Sequence, residues 1–289
     1  MYKKILRKPQ AWLLHVASAP GRLARVAGTG LLLLTGFWAQ AQATTTVFSE
    51  DFEGATNSFV LENGAQNNQW VVAGTGGNGP TSPGTKAAYV SADNGATNSY
   101  NITSASTVHL YRDVVLPAGQ ATIQLSFDWR AVGESTNDYL LVQVAPATFS
   151  PVAGTIPATT SATVLAQLNL QATFVRAALV LPASLAGSTQ RLIFTWVNNN
   201  NSGVQPPALL DNVTLTTRAA NPLSGAYTIN SASPTAGTNF ASFGDAATRL
   251  NLDGISGPTT FAVTGGPYTE QFLLGQVSGS SATNTIVVN

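Results

Sequence analysis

Ile123-Gln124-Leu125-Ser126-Phe127-Asp128-Trp129-Arg130 alternates apolar and polar residues without a break. Successive side chains of a strand point to opposite faces. Ile123, Leu125, Phe127 and Trp129 therefore share one face, and Gln124, Ser126, Asp128 and Arg130 share the other. A strand with one dry and one wet face belongs in an antiparallel sheet packed on a second layer. The same two-residue period predicts strands over residues 48–52, 87–91, 108–115, 139–144, 177–181, 192–197 and 209–216, separated by Asn-Gly, Pro-Gly and Asn-rich breaks. No helical segments alternate with them, which sets aside a parallel α/β sheet. Residues 44–217 thus read as one all-β domain, a jelly-roll β-sandwich.

Upstream the chain changes character. Six of its 13 Lys and Arg (Lys3, Lys4, Arg7, Lys8, Arg22 and Arg25) precede the first of its 13 Asp and Glu, which is Glu50. They lead into the apolar run from Val26 to Trp38, with Leu31-Leu32-Leu33-Leu34 at its centre, and then Ala41-Gln42-Ala43, the order of a cleaved export signal over residues 1–43. The run is shorter than the ~20 residues that span a bilayer, so no membrane span is expected in the mature chain. Cleavage after Ala43 leaves seven basic against 13 acidic side chains. Such a surface carries no basic stripe and excludes nucleic acid as a partner. Cys is absent, so an exported chain must be stabilised by its core or by metal ions rather than by disulfides.

Beyond Arg218-Ala219-Ala220-Asn221-Pro222 the pattern shifts again, and residues 218–224 read as a linker. Phe240, Phe243, Ala247 and Leu250 fall on one helical face, closed by Asp253-Gly254. Short strands are expected at 259–263, 270–274 and 285–288, at a spacing that suits solenoid rungs.

Gly225-Ala226-Tyr227-Thr228-Ile229, the 240–250 helix, Gly254-Ile255-Ser256-Gly257-Pro258, Tyr268-Thr269-Glu270-Gln271 and Ser281-Ala282-Thr283-Asn284-Thr285-Ile286 together resemble the opening of right-handed parallel β-helix, pectin-lyase-like domains. Such domains occur in secreted Bacteroidetes-type surface proteins. The resemblance covers residues 222–289 and implies a cap helix with the first rungs of an incomplete β-helix over 225–289. It also implies that the chain is a fragment of a larger protein. Glu50-Asp51-Phe52-Glu53-Gly54, Leu125-Ser126-Phe127-Asp128-Trp129 and Leu210-Asp211-Asn212-Val213 resemble concanavalin-like jelly rolls of the cleaved-adhesin and MAM type, which implies adhesion or glycan contact at a cell surface.

Several chemistries are excluded at once. There is no thiolate nucleophile, and the one mature histidine, His109, cannot make a multi-His zinc site. No Gly-x-Ser-x-Gly elbow exists to activate a serine, so His109 reads as a strand surface residue. Gly74-Thr75-Gly76-Gly77-Asn78-Gly79 satisfies a dinucleotide fingerprint in letters only, because no helix follows to receive a phosphate. Glu134 and Asp138 lie in one turn rather than on either side of a sugar site, and the Glu-x-Asp-x-x-Glu strand of laminarinase-type relatives is absent.

The bracketing acids carry the expected site. Asp51 and Glu53 are two apart, so on a strand they would project to one face, with Phe52 pointing into the core beside Phe48. Asp211 shares the parity of Val213 and Leu215 and is expected to face inward, where a lone carboxylate is costly. If first and last strands are neighbours, these acids converge on a hard cation, with Asp93 as a further loop ligand. In jelly-roll carbohydrate-binding modules first- and last-strand acids hold a structural Ca2+, so the resemblance implies the same ion. Among the aromatics, parity places Trp129 and Trp196 in the core, leaving Trp70, Tyr89, Tyr100 and Tyr111 as the ligand-contact set.

The sequence therefore predicts a secreted, non-catalytic, calcium-stabilised adhesion or carbohydrate-contacting module whose partners are an extracellular glycan or a surface protein. Two alternatives stand beside it. One is the accessory domain of a polysaccharide lyase or hydrolase whose catalytic β-helix is missing, and the other is a structural spacer in a surface fibre.

Overall fold

The alternating run extends to twelve residues, Gln120–Ala131, and every second side chain from Ile123 to Ala131 is buried. The computed structural model describes residues 43–74 and 84–289. The export signal read over 1–43 lies, but for Ala43, outside the described residues, as does most of the glycine-rich 74–79 stretch. In chain order the strands are β1 (Thr45–Glu50), β2 (Val60–Glu62), β3 (Gln69–Gly74), β4 (Lys86–Ser91), β5 (Ser106–Val115), β6 (Gln120–Ala131), β7 (Tyr139–Pro146), β8 (Thr163–Leu168), β9 (Gln171–Leu181), β10 (Thr189–Asn198) and β11 (Leu209–Ala219). Then follow β12 (Leu223–Asn230), β13 (Asn239–Phe240), α1 (Phe243–Asp253), β14 (Ile255–Thr264) and β15 (Ile286–Val288).

The first eleven strands build an antiparallel sandwich. One sheet runs β3-β4-β11-β6-β9, with β1 also paired to β11, and the other runs β2-β5-β10-β7-β8. Inward side chains from both meet in one core, where Phe127 meets Phe194 edge to face with ring centroids 5.2 Å apart and Trp196 is fully buried. Each such side chain contributes about 1.5–3 kcal/mol by leaving water. The first and last strands of the sandwich are neighbours, with Ser49 opposite Thr214 and Glu50 opposite Val213.

Two local expectations change. Residues 51–53 are not strand. Phe52 has a left-handed backbone (φ 57°), because the Glu50 carboxylate accepts the Phe52 N–H at 2.9 Å and Asp51 accepts that of Glu53 at 3.1 Å, and these bonds turn the chain out of β1. Asp211 does not share the face of Val213. Asn212 and Val213 together oppose Phe127, so a β-bulge intervenes, and Asp211 is the cross-strand partner of Asp128 on the outer face.

The C-terminal part has its own core around Leu223, Ile229, Phe240, Leu250 and Phe261. Its four strands, in the order β13-β12-β14-β15, are all parallel. The helix begins three residues later than its apolar spacing predicts. Ser242 caps it by accepting the Asp245 N–H at 3.0 Å, which leaves Phe240 in β13. Residues 270–274 form no strand. Glu270 instead accepts the N–H groups of Phe243 and Gly244 at 2.7 and 3.0 Å, and Phe272 stacks on Phe243, so this stretch serves the helix N-terminus. β14 pairs with β15 directly.

Candidate functional site

Asp211 is fully buried at the bulge of β11. Its Oδ1 accepts the Asn212 N–H at 2.7 Å, and its Oδ2 has no partner among the described residues. Burial pushes its carboxyl up to about 7, opposed by the Asn212 bond and reinforced by the negative charges of Asp128, Glu53 and Asp51. Asn212 also has a left-handed backbone (φ 49°), so two non-glycine residues in that region, Phe52 and Asn212, adjoin the acids.

The neighbouring carboxylates are already engaged. Asp128 accepts from Arg176 at 3.1 Å and from the Asn212 side-chain amide at 3.0 Å. Glu53 accepts the N–H groups of Thr85 and Lys86 at 2.7 and 2.9 Å and the Thr85 hydroxyl at 2.7 Å, led by which its carboxyl falls below the ordinary range. The Lys86 ammonium donates to the carbonyl of Gly54 at 2.9 Å and to that of Glu53 at 3.3 Å. Asp93 belongs to a separate loop, where its oxygens accept from Ser91 and from the Thr97 N–H and hydroxyl. Among the described residues no three acidic or histidine side chains gather closely enough to hold a metal ion between them. Oxygen donors of the kind a hard cation takes are nevertheless present, one of them, Asp211 Oδ2, buried and open. Sequence parity missed Asp128, because nothing in the letters marks the bulge.

The expected aromatic contacts are mostly interior. Trp70, Tyr89 and Tyr100 are 1%, 0% and 3% exposed, and each buried ring has a partner for its polar tip: Val108 carbonyl for Trp70, Gly95 carbonyl for Tyr89 and Asp138 for Tyr100. None of the three offers a face to a sugar. Tyr111 remains half-buried on the outer side of the second sheet, with the Arg191 guanidinium 4.5 Å above its ring. Trp129 and Trp196 are in the core as parity predicts.

His109 is not a surface residue. It is fully buried, with Nδ1 2.9 Å from the Thr195 hydroxyl and Nε2 3.0 Å from the Val152 carbonyl, because the segment between β7 and β8 covers it. Burial lowers its pKa, opposed by the Val152 contact and by Glu62. The Glu134–Asp138 turn is also spent on structure. Asp138 accepts the Tyr100 hydroxyl at 2.6 Å and the Asn199 N–H at 2.9 Å, and Glu134 accepts the Ser202 hydroxyl at 2.9 Å. Burial is the main cause that raises both the Asp138 carboxyl and the Tyr100 hydroxyl.

No protein-family model matches the chain, and no curated protein matches it. Among solved structures it is similar to the CBM22-1 xylan-binding domain of Paenibacillus barcinonensis Xyn10C, at 13% identity over 63% of this chain and 99% of that one, with a TM-score of 0.37. It is also similar to the K1 cleaved adhesin domain of Lys-gingipain from Porphyromonas gingivalis W83, at 16% identity over 62% and 99% of the two chains, with a TM-score of 0.37. The K3 domain of the same gingipain shares 18% identity over 59% and 98%, again with a TM-score of 0.37.

Proposed function

We propose that this chain is an exported, non-catalytic surface module for adhesion or carbohydrate contact, with a sandwich stabilised by calcium. The observation that carries this reading is the way the three buried acids among the described residues are spent. Asp138 is bonded to Tyr100 and Asn199, and Asp253 is bonded to Arg218, Arg249 and the Asn221 N–H, so neither is left for acid–base work. Asp211 alone keeps an open oxygen, at the junction of first and last strands, where a cation would relieve both its burial and its repulsion from Asp128. Asp211 and Asp51 would supply side-chain oxygens, with main-chain carbonyls completing the set. The ion would supply positive charge to a strained turn and nothing more.

Thermal unfolding of the purified chain with excess calcium and with chelator, run beside binding and degradation assays on a polysaccharide panel, tests this. A calcium-linked rise in Tm, about 2.7 kcal/mol at a hundredfold excess over Kd, with retention on a polysaccharide and no cleavage, is the expected result. Absence of a calcium shift removes the ion, and cleavage of any panel member removes the non-catalytic reading.

A second reading has its own observation. The all-parallel β13-β12-β14-β15 sheet with its capping helix supports a β-helix start, and so an accessory role beside a polysaccharide lyase or hydrolase.

A further inference from the structure

Between β7 and β8, residues 147–162 run without helix or strand across the outer face of the five-stranded sheet. An irregular connection of that length inside a compact domain is uncommon and is often a functional lid. It is held chiefly through its own carbonyls. His109 Nε2 lies 3.0 Å from the Val152 carbonyl, Arg191 donates to that of Phe149 at 2.6 Å, and Gln143 donates to that of Pro157 at 3.1 Å. The Gly154 N–H adds a bond to the Thr107 carbonyl at 2.8 Å. Within the segment Pro151, Pro157 and Ala162 are buried, while Val152 and Ile156 remain 63% and 43% exposed.

Underneath, a small apolar cluster of Ala145, Ala162 and Ile193, with Tyr111 and Phe149 packed against it, is bordered by polar side chains. Adjacent strands place Tyr111, Ile193 and Gln143 in one row, with His109 and Thr195 in the row beside it and Asp113 and Arg191 in the row beyond. Gln143 and Thr195 are fully buried, and Gln143 Oε1 has no partner among the described residues. A buried amide oxygen left unpaired costs about 1–3 kcal/mol, so the closed arrangement is held against a standing penalty. Arg191 is neutralised by Asp113, which accepts from it at 2.6 and 2.9 Å. The face therefore combines an aromatic ring, an amide with a free acceptor, an imidazole and a charge-balanced fork. A ring face packs on sugar C–H groups, and amide and carboxylate groups pair with sugar hydroxyls, so this chemistry suits a neutral oligosaccharide.

We propose that residues 147–162 are a lid over a neutral-oligosaccharide contact face centred on Tyr111 and Gln143. This rests on the carbohydrate-contact reading above and locates its surface. The experiment has two arms. Hydrogen exchange on the intact chain is expected to release the amides of 152–156 at least tenfold faster than those of Ile193 and Phe194, through local opening. The chain has no Cys, so a Gly64→Cys, Ala153→Cys pair gives a reversible lock. A Cβ at Gly64 would lie 2.9 Å from that of Ala153, closer than the ~3.5–4.5 Å of a disulfide, so the two loops adjoin and must part by about 1 Å to accept the bond. Retention on immobilised xylan, mannan or β-1,3-glucan is expected when the pair is reduced and to fall at least tenfold when it is oxidised.

Lid amides that exchange only with the β10 amides overturn the lid, as does equal retention in both redox states, which would leave carbohydrate contact standing. If neither the wild type nor a variant with 148–161 replaced by Gly-Gly is retained on any of the three polysaccharides, both readings fall. The exchange arm uses the wild type and does not depend on how the cysteine pair folds.

Discussion

Asp211 and Asp128 stand directly opposite each other across the β6–β11 pair, two carboxylates on adjacent strands with one of them fully buried. Like charges in that relation destabilise a sheet, and Asp128 offsets its own charge against Arg176 while Asp211 is paired with no cation among the described residues. Asp211→Asn keeps the shape and removes the charge. In chelator at pH 8 the variant is expected to be more stable than wild type by about 1 kcal/mol or more, visible as a Tm rise of a few degrees. In excess calcium the order is expected to reverse, because the variant lacks the ligand. A variant less stable than wild type in chelator would show that the buried charge is matched by a partner already present.

The pH dependence has two opposing parts. The Asp211 carboxyl is raised to about 7, so the folded state holds its proton more firmly than the unfolded chain does, and this contribution is present at low pH and lost as pH rises from about 4 through 7. His109 is lowered, so its contribution is full above about 6.5 and is lost as pH falls below that value toward its folded pKa. Glu62, opposite it on β2, limits that loss. Chelated wild type is therefore expected to change little in Tm between pH 7.5 and 5.5. Asp211→Asn should lose stability toward the acid end relative to wild type, and combining it with His109→Gln should remove that loss and leave only the acid-side gain of the raised Asp138 carboxyl. Melting curves at half-unit intervals distinguish the three patterns.

Much of the sandwich was legible because its inner strands obey a two-residue period. β6, β10 and β5 were found with ends moved by one to three residues, since alternation marks a half-buried strand wherever it falls. The unrecognised strands β2, β3 and β8 gave no such signal: β2 has three residues, and β3 runs Trp70-Val71-Val72-Ala73 without alternating. The candidate site was half legible. The pairing of first and last strands follows from the fold, but the left-handed residues Phe52 and Asn212 reset the parity on which side-chain direction was judged. Parity reads a face only while the ladder is regular. Burial of His109 and Tyr89 was hidden for a different reason, since the loops that cover an outer sheet face leave no trace in the strand itself, whereas Tyr100 lies in the β4–β5 connection and packs into the main core against Trp196.

Gly203 sits against the tip of the Tyr100–Asp138 pair, where a methyl group would overlap both the phenol oxygen and Asp138 Oδ2, far inside van der Waals contact, and force them apart. Separating that hydrogen bond leaves a buried carboxylate with only the Asn199 N–H. Gly203→Ala is expected to cost about 2 kcal/mol, and Tyr100→Phe about as much, with the double variant less than additive because both act on one bond. Additive losses measured by urea unfolding would place the two residues in separate interactions.

The last relationship concerns the join between the antiparallel sandwich and the parallel sheet. β11 ends at Ala219 and β12 starts at Leu223, so little free chain separates them, and the buried Asp253 at the end of α1 gathers Arg218 from β11, Arg249 from its own helix and the N–H of Asn221 from the connection. The Leu223 N–H, bonded to the Gly254 carbonyl at 3.0 Å, and the Ala220 N–H, bonded to that of Gly119 at 2.8 Å, tie the same corner. A carboxylate shared in this way couples the two cores, because parting them separates Arg218 from Asp253 while the Arg249 pair stays within α1. Removing one member of a buried charged set costs about 3–5 kcal/mol, and here the cost falls on the coupling rather than on either core. Wild type is expected to melt in one transition. Asp253→Asn should separate it into two, the lower belonging to residues 223–289, with the sandwich transition almost unmoved. Calorimetry reads the number of transitions directly, and a variant that still melts as one unit at a lower temperature would move the coupling from Asp253 to the backbone bonds beside it.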